Sequence, residues 1–190
     1  MADNTPIPTV MECLKGYIGI SSQVCEQPTP ESDGADFSGL YIVDLPGISL
    51  ESIEKIADRE LKNFIGVWEK VESRALLKLR SAALAEVNKC FCVTDLELID
   101  QMVCDNKELF QLALWYLIGS ELCYERLYSN AFKRFTTIDR NQAAELRDDF
   151  LADYQASLKN AVKGIDFEEY KDESLPPAKT SVYFQESGIC

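Results

Sequence analysis

The chain has 190 residues, 46% of them apolar, which suits one domain with a real hydrophobic core and excludes a disordered protein. Its 32 acidic and 19 basic residues give a formal net charge of −13, which disfavours salt-driven binding to nucleic-acid phosphates. Such a balance suits a basic protein partner, or a surface past which nucleic acid slides without sticking; solubility alone is the plainer reading.

Histidine is absent, which removes the commonest general base, the usual metal ligand and the Ser–His and Cys–His nucleophile pairs. The seven cysteines, Cys13, Cys25, Cys90, Cys92, Cys104, Cys123 and Cys190, include no C-x-x-C pair. Cys104 and Cys123 lie in apolar helical contexts, where reduced thiols packing as small hydrophobes are expected. No apolar run is long enough to span a bilayer, and MADNTPIPTV lacks the basic and apolar regions of a secretory signal. A protein made in the cytoplasm, with no membrane association, is the expectation.

Residues 1–38 read as an irregular arm. Val10 to Ile20 is a short apolar patch broken by Gly16 and Gly19, and QPTPESDGAD has the composition of a connector. Leu40, Tyr41, Ile42 and Val43 form a short strand-like run, stopped by Pro46 and Gly47. Ser49 then stands where a helix cap belongs, with Glu51 and Glu54 in the first turn. Ile53, Ala57, Leu61, Phe64, Trp68, Val71 and Ala75 recur at steps of three and four, and Leu76, Leu79, Ala82, Ala83 and Val87 continue the stripe. That predicts a helix from about 50 to 88, roughly 58 Å long.

Thr94 caps a predicted short helix, Asp95 to Val103, and Asp105 caps the next, which starts near Lys107 and ends near Phe135. This helix is apolar over much of its circumference, as befits a buried or interfacial one, with Glu121, Glu125 and Arg126 assigned to its polar side. Thr137 or Asp139 caps the last helix, whose stripe is Leu146, Phe150, Leu151, Tyr154, Leu158, Ala161 and Val162 and whose stop is Gly164. Arg126, Lys133, Arg134 and Arg140 make a modest basic patch at the preceding turn, best read as neutralising helix ends.

From residue 165 the chain turns acidic. Pro176 and Pro177 stiffen it, and Ser181, Val182, Tyr183, Phe184 and Gln185 are strand-like. That segment either pairs with a neighbouring subunit or folds back on its own domain. The fold class expected is therefore mainly α: a bundle of three or four helices (39–164) between an N-terminal arm (1–38) and a C-terminal tail (165–190), with one or two short strands.

Asp44-Leu45-Pro46-Gly47 has the letters of the D-x-x-G switch box, written D-L-P-G in dynamin-like GTPases. Such a box works only beside a G-x-x-x-x-G-K-[ST] phosphate cradle, and the chain contains no Gly-Lys dipeptide and no N-K-x-D. A structural turn accounts for the residues: Asp44 caps, Pro46 fixes φ, and Gly47 takes positive φ before the helix. Acidic pairs such as Asp148-Asp149 and Glu168-Glu169 read as solvated surface, and Trp68, Trp115 and Tyr154 as core. No catalytic, cofactor-binding or metal-ligating set emerges, and no cofactor is expected.

FSGLYIVDLPGISLESIEKIAD, then LKNFIGVWEKVESRAL, and later ELCYERLYSNAFKRFTTIDRNQAAELRDDFLADY, together resemble the head–tail connector (adaptor or ring) proteins of tailed phages, of the crAss-like type. The resemblance implies a structural virion protein and no enzyme. It implies a homo-oligomeric ring, usually a dodecamer, docked on the portal at the head–tail junction. Such a ring meets the next tail or ring protein and extends a channel through which DNA passes without specific binding. Leu40 to Val43 and Ser181 to Gln185 are then the expected assembly contacts, with Asp44, Pro46 and Gly47 as the structural turn. The first 38 residues have no counterpart in it. Rival expectations are a monomeric acidic helical adaptor or inhibitor of a basic protein, and an enzyme working through carboxylates or lysine.

Overall fold

The computed structural model describes residues 8–20, 38–50, 58–91, 95–130 and 132–170. Its helices are α1 (Val10–Cys13), α2 (Asp58–Phe91), α3 (Leu96–Asp105), α4 (Lys107–Tyr128) and α5 (Arg140–Gly164). The architecture is mainly α, a helical bundle as the periodicities predict.

The 34 residues of α2 span about 51 Å at the rise of an α-helix. Its predicted stripe is buried from Phe64 through Trp68, Val71, Ala75, Leu79 and Ala83 to Val87. The expected start near residue 50, with Glu51 and Glu54, lies outside the described residues. Central α4 buries Phe110, Ala113, Leu114, Leu117, Ile118, Leu122 and Cys123. Arg74 of α2 meets Glu121 and Glu125, and Lys70 meets Glu125, so α2 and α4 run antiparallel. Leu109 lies against Gly164 and Phe150 against Gly119, so α5 is antiparallel to α4 as well. The core is thus three long helices with α4 at its centre, and α3 joins α2 to α4.

Helix ends follow local chemistry. Asp139 caps α5 by accepting from the Asn141 and Gln142 N–H groups (2.7 and 2.9 Å), while the Gln142 side chain accepts from the Asp139 N–H, a full capping box. Three boundaries differ from expectation. Asp95, not Thr94, caps α3, accepting from the Glu97 N–H at 2.9 Å. Asp105 is the last residue of α3, and Asn106 stands between the two helices with its side chain on Met102 O. The α4 helix stops at Tyr128, and a 3-10 turn at Phe132–Arg134 returns Phe132 and Phe135 to the core.

Residues 8–20, which composition places in an arm, belong to the core. Val10, Leu14, Tyr17, Ile18 and Ile20 are all buried. Val10, Leu14, Tyr17 and Ile18 keep the steps of a helical face, but the glycines break the run: only Val10–Cys13 is helical, and Gly16 has φ +74°. At the other end, Ile165 is buried and a 3-10 turn at Phe167–Tyr170 packs Phe167 and Tyr170 against the core. Tyr170 accepts from Asn106 Nδ2 (2.9 Å) and donates to Asp105 Oδ2 (3.2 Å), fastening this end to the α3–α4 corner.

Leu40 to Val43 is not a strand. It makes one parallel bridge, Gly19 with Tyr41, and then turns into a 3-10 turn at Ile42–Asp44. A second, antiparallel bridge joins Leu50 to Thr136. Leu45 is driven inward onto Gly119: a Cβ there would stand 2.7 Å from Leu45 Cδ1 and 3.1 Å from Phe150 Cδ2. Gly47 has φ +79°, the left-handed conformation expected of it.

Two substitutions test this corner by urea unfolding. Gly47→Ala is expected to cost about 1 kcal/mol, from the positive φ. Gly119→Ala is expected to cost about 2 kcal/mol, because both Leu45 and Phe150 must yield.

Candidate functional site: a corner and a buried ion ladder

The corner holds the residues singled out as assembly contacts and as the turn. Backbone groups of Leu40 to Val43 are engaged within the chain: Gly19 N donates to Leu40 O (2.9 Å), Ile42 N to Gly19 O (2.8 Å) and Val43 N to Ile20 O (3.3 Å). The Trp115 indole Nε1 donates to Tyr41 O at 2.8 Å, pinning the run to α4. Ile42 is wholly buried, Tyr41 and Val43 partly. Asp44 and Pro46 are exposed, and the Asp44 N–H closes the turn on Tyr41 O at 3.2 Å. Ser49 O accepts from Thr137 N (3.0 Å) and Thr136 Oγ1 (2.9 Å), tying the corner to the segment before α5. Ser181, Val182, Tyr183, Phe184 and Gln185 lie outside the described residues.

The second feature was not expected. Glu121 and Glu125, assigned to a polar side of α4, are buried, 4% and 2% exposed. They face α2, where Lys70, Arg74 and Lys78 repeat every fourth residue on one face. Arg74 Nε reaches Glu121 Oε2 at 2.9 Å and its Nη1 reaches Glu125 Oε1 at 2.6 Å. Lys70 Nζ stands 3.3 Å from Glu125 Oε1, and Lys78 pairs with Glu121. The lysines keep their ends in water while Arg74 is largely covered, its guanidinium 5.2 Å from the centre of the Tyr124 ring. Arg147 of α5 flanks the same ring at 6.0 Å, and the Tyr128 ring meets it at 4.8 Å with a 43° tilt.

Two further carboxylates are buried with partners. Asp100 of α3 takes a two-pronged bond from Arg80 of α2, with Nε to Oδ1 at 2.6 Å, and accepts from Val10 N at 3.3 Å. Glu72 accepts from Gly16 N at 2.7 Å. The environments of Glu72 and Glu125 push in opposite directions. Burial raises the Glu72 carboxyl above its usual range, and the single N–H of Gly16 only partly offsets this. Burial would raise Glu125 too, but bonds from Arg74, Lys70 and Ser129 outweigh it and hold that carboxyl low. Burial pushes the Cys123 thiol up to about 12, as fits a cysteine packed as a small hydrophobe.

That expectation fails for Cys104, whose partner is Cys13. The two are joined by a disulfide between α1 and α3, 91 residues apart in sequence, with Cα atoms 5.8 Å apart. No spacing signal announces such a pair, since the partners meet only when residues 8–20 dock. The ion ladder did leave a trace: carboxylates at i and i+4 on the apolar helix α4, and cations at i, i+4 and i+8 on the long helix α2. Among the described residues no group of three or more Cys, Asp or Glu side chains could hold a metal ion. No helix among them is long and apolar enough to cross a membrane. The ladder's carboxylates already meet cations, so its chemistry is that of a register device joining two helices.

Arg74→Met is expected to cost about 3 kcal/mol in urea unfolding, because it leaves each of two buried carboxylates with one largely exposed lysine as its only cation. Adding Glu121→Leu and Glu125→Leu to the same chain should recover most of that loss. For Glu72, a folded-state value above the unfolded one means a contribution present below the usual carboxylate range and lost as pH rises. Glu72→Gln keeps the acceptor and removes the charge, so its melting temperature should exceed the wild type's at pH 7, with the gap closing near pH 4. No family model matches this chain, and neither a curated protein nor a solved structure does.

Proposed function

We propose that the chain is a structural virion protein: a ring-forming head–tail connector subunit, without an enzymatic role, that docks on the portal and extends the DNA channel. The observation that carries this reading is spatial. The stretches bearing the resemblance, distant in sequence, form one contact unit. Ser49 of the corner bonds Thr136 and Thr137, Phe64 packs edge-on against Phe135 at 5.1 Å, and Arg74 bonds Glu121 and Glu125. The family-like residues therefore build a common framework and are not scattered matches.

Two properties support it further. A net charge of −13 suits a wall along which DNA moves without adhering. The α2–α4 face also leaves Leu77, Tyr124 and Tyr128 exposed, Tyr128 by 66%, beside the cations of the ladder. Exposed aromatics next to arginine are the usual anchors of protein–protein contacts. In this reading the contacts of Ser181 to Gln185 with a neighbouring subunit or the portal complete the ring.

Mass photometry of the purified full chain, alone and with the portal protein of the same virus, tests the reading. A closed ring, twelve-fold by the resemblance, or a stable complex with the portal is expected. A chain that stays monomeric at every concentration and never joins the portal would overturn it. Deleting residues 171–190, which spares the packed end at 165–170, should abolish assembly while leaving helical circular dichroism largely intact.

A further inference from the structure

The Cys13–Cys104 bond sits at a junction that the rest of the core does not share. Cys13 ends α1, a single four-residue turn too short to persist on its own. Cys104 lies in the last turn of α3. Both are half-buried, within reach of a small thiol, whereas Cys123 is buried with its thiol pushed up to about 12 and makes no competing thiolate.

Besides the disulfide, polar fastenings hold residues 8–20. Gly16 N donates to Glu72, a carboxylate whose charged form burial disfavours, and Val10 N makes a long bond to Asp100, already engaged by Arg80. The apolar contribution comes from Val10, Leu14, Tyr17, Ile18 and Ile20. These fastenings lie on α2 and α3, so the α4–α5 pair does not depend on them. Downstream, Gly19 and Ile20 carry the backbone bonds to Leu40, Ile42 and Val43.

We propose that Cys13 and Cys104 are a redox latch on the N-terminal segment. With the bond formed, residue 13 is tied to α3 and residues 8–20 stay docked. With both sulfurs as thiols, the segment opens locally and loosens the corner at 40–45, while α4 and α5 stay packed. The latch closes by exchange with a low-molecular-weight disulfide such as oxidised glutathione. One cysteine thiolate attacks it, giving a mixed disulfide and one glutathione thiol. The second cysteine thiolate then displaces the other glutathione as the protein S–S bond forms. Two electrons pass from the protein to glutathione, and the two cysteine protons end on the two glutathione thiols. The proposal does not rest on the connector reading. Within that reading, it gives a chain made in a reducing cytoplasm a segment that is free during assembly and fixed afterwards.

Hydrogen exchange read by mass spectrometry on the full chain, equilibrated in oxidised or reduced glutathione, tests it. Peptide mapping should show the 13–104 bond in the oxidised sample. Peptides covering 10–20 and 40–45 should exchange about tenfold faster in the reduced sample, with α4–α5 peptides unchanged. Cys13→Ser and Cys104→Ser should match the reduced wild type in either buffer. If a variant fails to fold, the reduced wild type still gives the comparison. The proposal is overturned if the bond never forms, or if 10–20 exchanges equally in both samples. It is also overturned if α4–α5 accelerates in parallel, since the bond would then hold the whole fold and not one segment.

Discussion

Two carboxylates inside the central helix set the terms for the rest of the molecule. Glu121 and Glu125 leave water only because Arg74, Lys70 and Lys78 meet them from α2. An apolar seam tolerates sliding by a turn; here a one-turn slip would undo the fork of Arg74 between the two carboxylates and set Gly66 or Ala82 in place of one cation. The ladder therefore fixes the register of α2 on α4. With that register fixed, Gly119 presents a gap for Leu45 and Phe150, and Phe64 reaches Phe135. The same logic reappears at smaller scale where Arg80 grips Asp100 and positions α3 beside α2.

The parts of this arrangement written in regular periods were legible in the sequence. The stripe from Phe64 to Val87, the apolar girth of α4 and the start of α5, with Asp139 as one of its two candidate caps, all follow from spacing and local hydrogen bonding. What was not legible depends on a partner distant in sequence. Glu121 and Glu125 look solvated until α2 is placed beside them. Cys13 and Cys104 look like unrelated thiols until residues 8–20 dock. Leu40 to Val43 has the composition of a strand, yet its neighbours Gly19 and Ile20 offer only a bridge before Ile42–Asp44 tightens into a turn. In each case tertiary context overrides a sound local reading.

The D-L-P-G letters show how one motif serves two kinds of chemistry. In a nucleotide switch the aspartate and glycine face phosphate and metal. Here Asp44 faces solvent, Leu45 fills the gap over Gly119, and Gly47 supplies a backbone angle. The information in these residues is geometric: they redirect the chain at the point where three segments converge, 19–20, 40–50 and 136–137. A corner so heavily cross-tied holds residues 40–50 firmly against α4 and against the segment before α5.

The bond from the Trp115 indole to Tyr41 O gives the molecule an internal gauge. The chain has two tryptophans, and Trp68 is buried within the α2 stripe. The half-buried Trp115 ring therefore dominates any change in intrinsic fluorescence when the corner lifts from α4. Its emission should move to longer wavelength as water replaces the Tyr41 carbonyl. Seating of the corner can thus be followed in real time, without a label, in whatever assembly the chain enters.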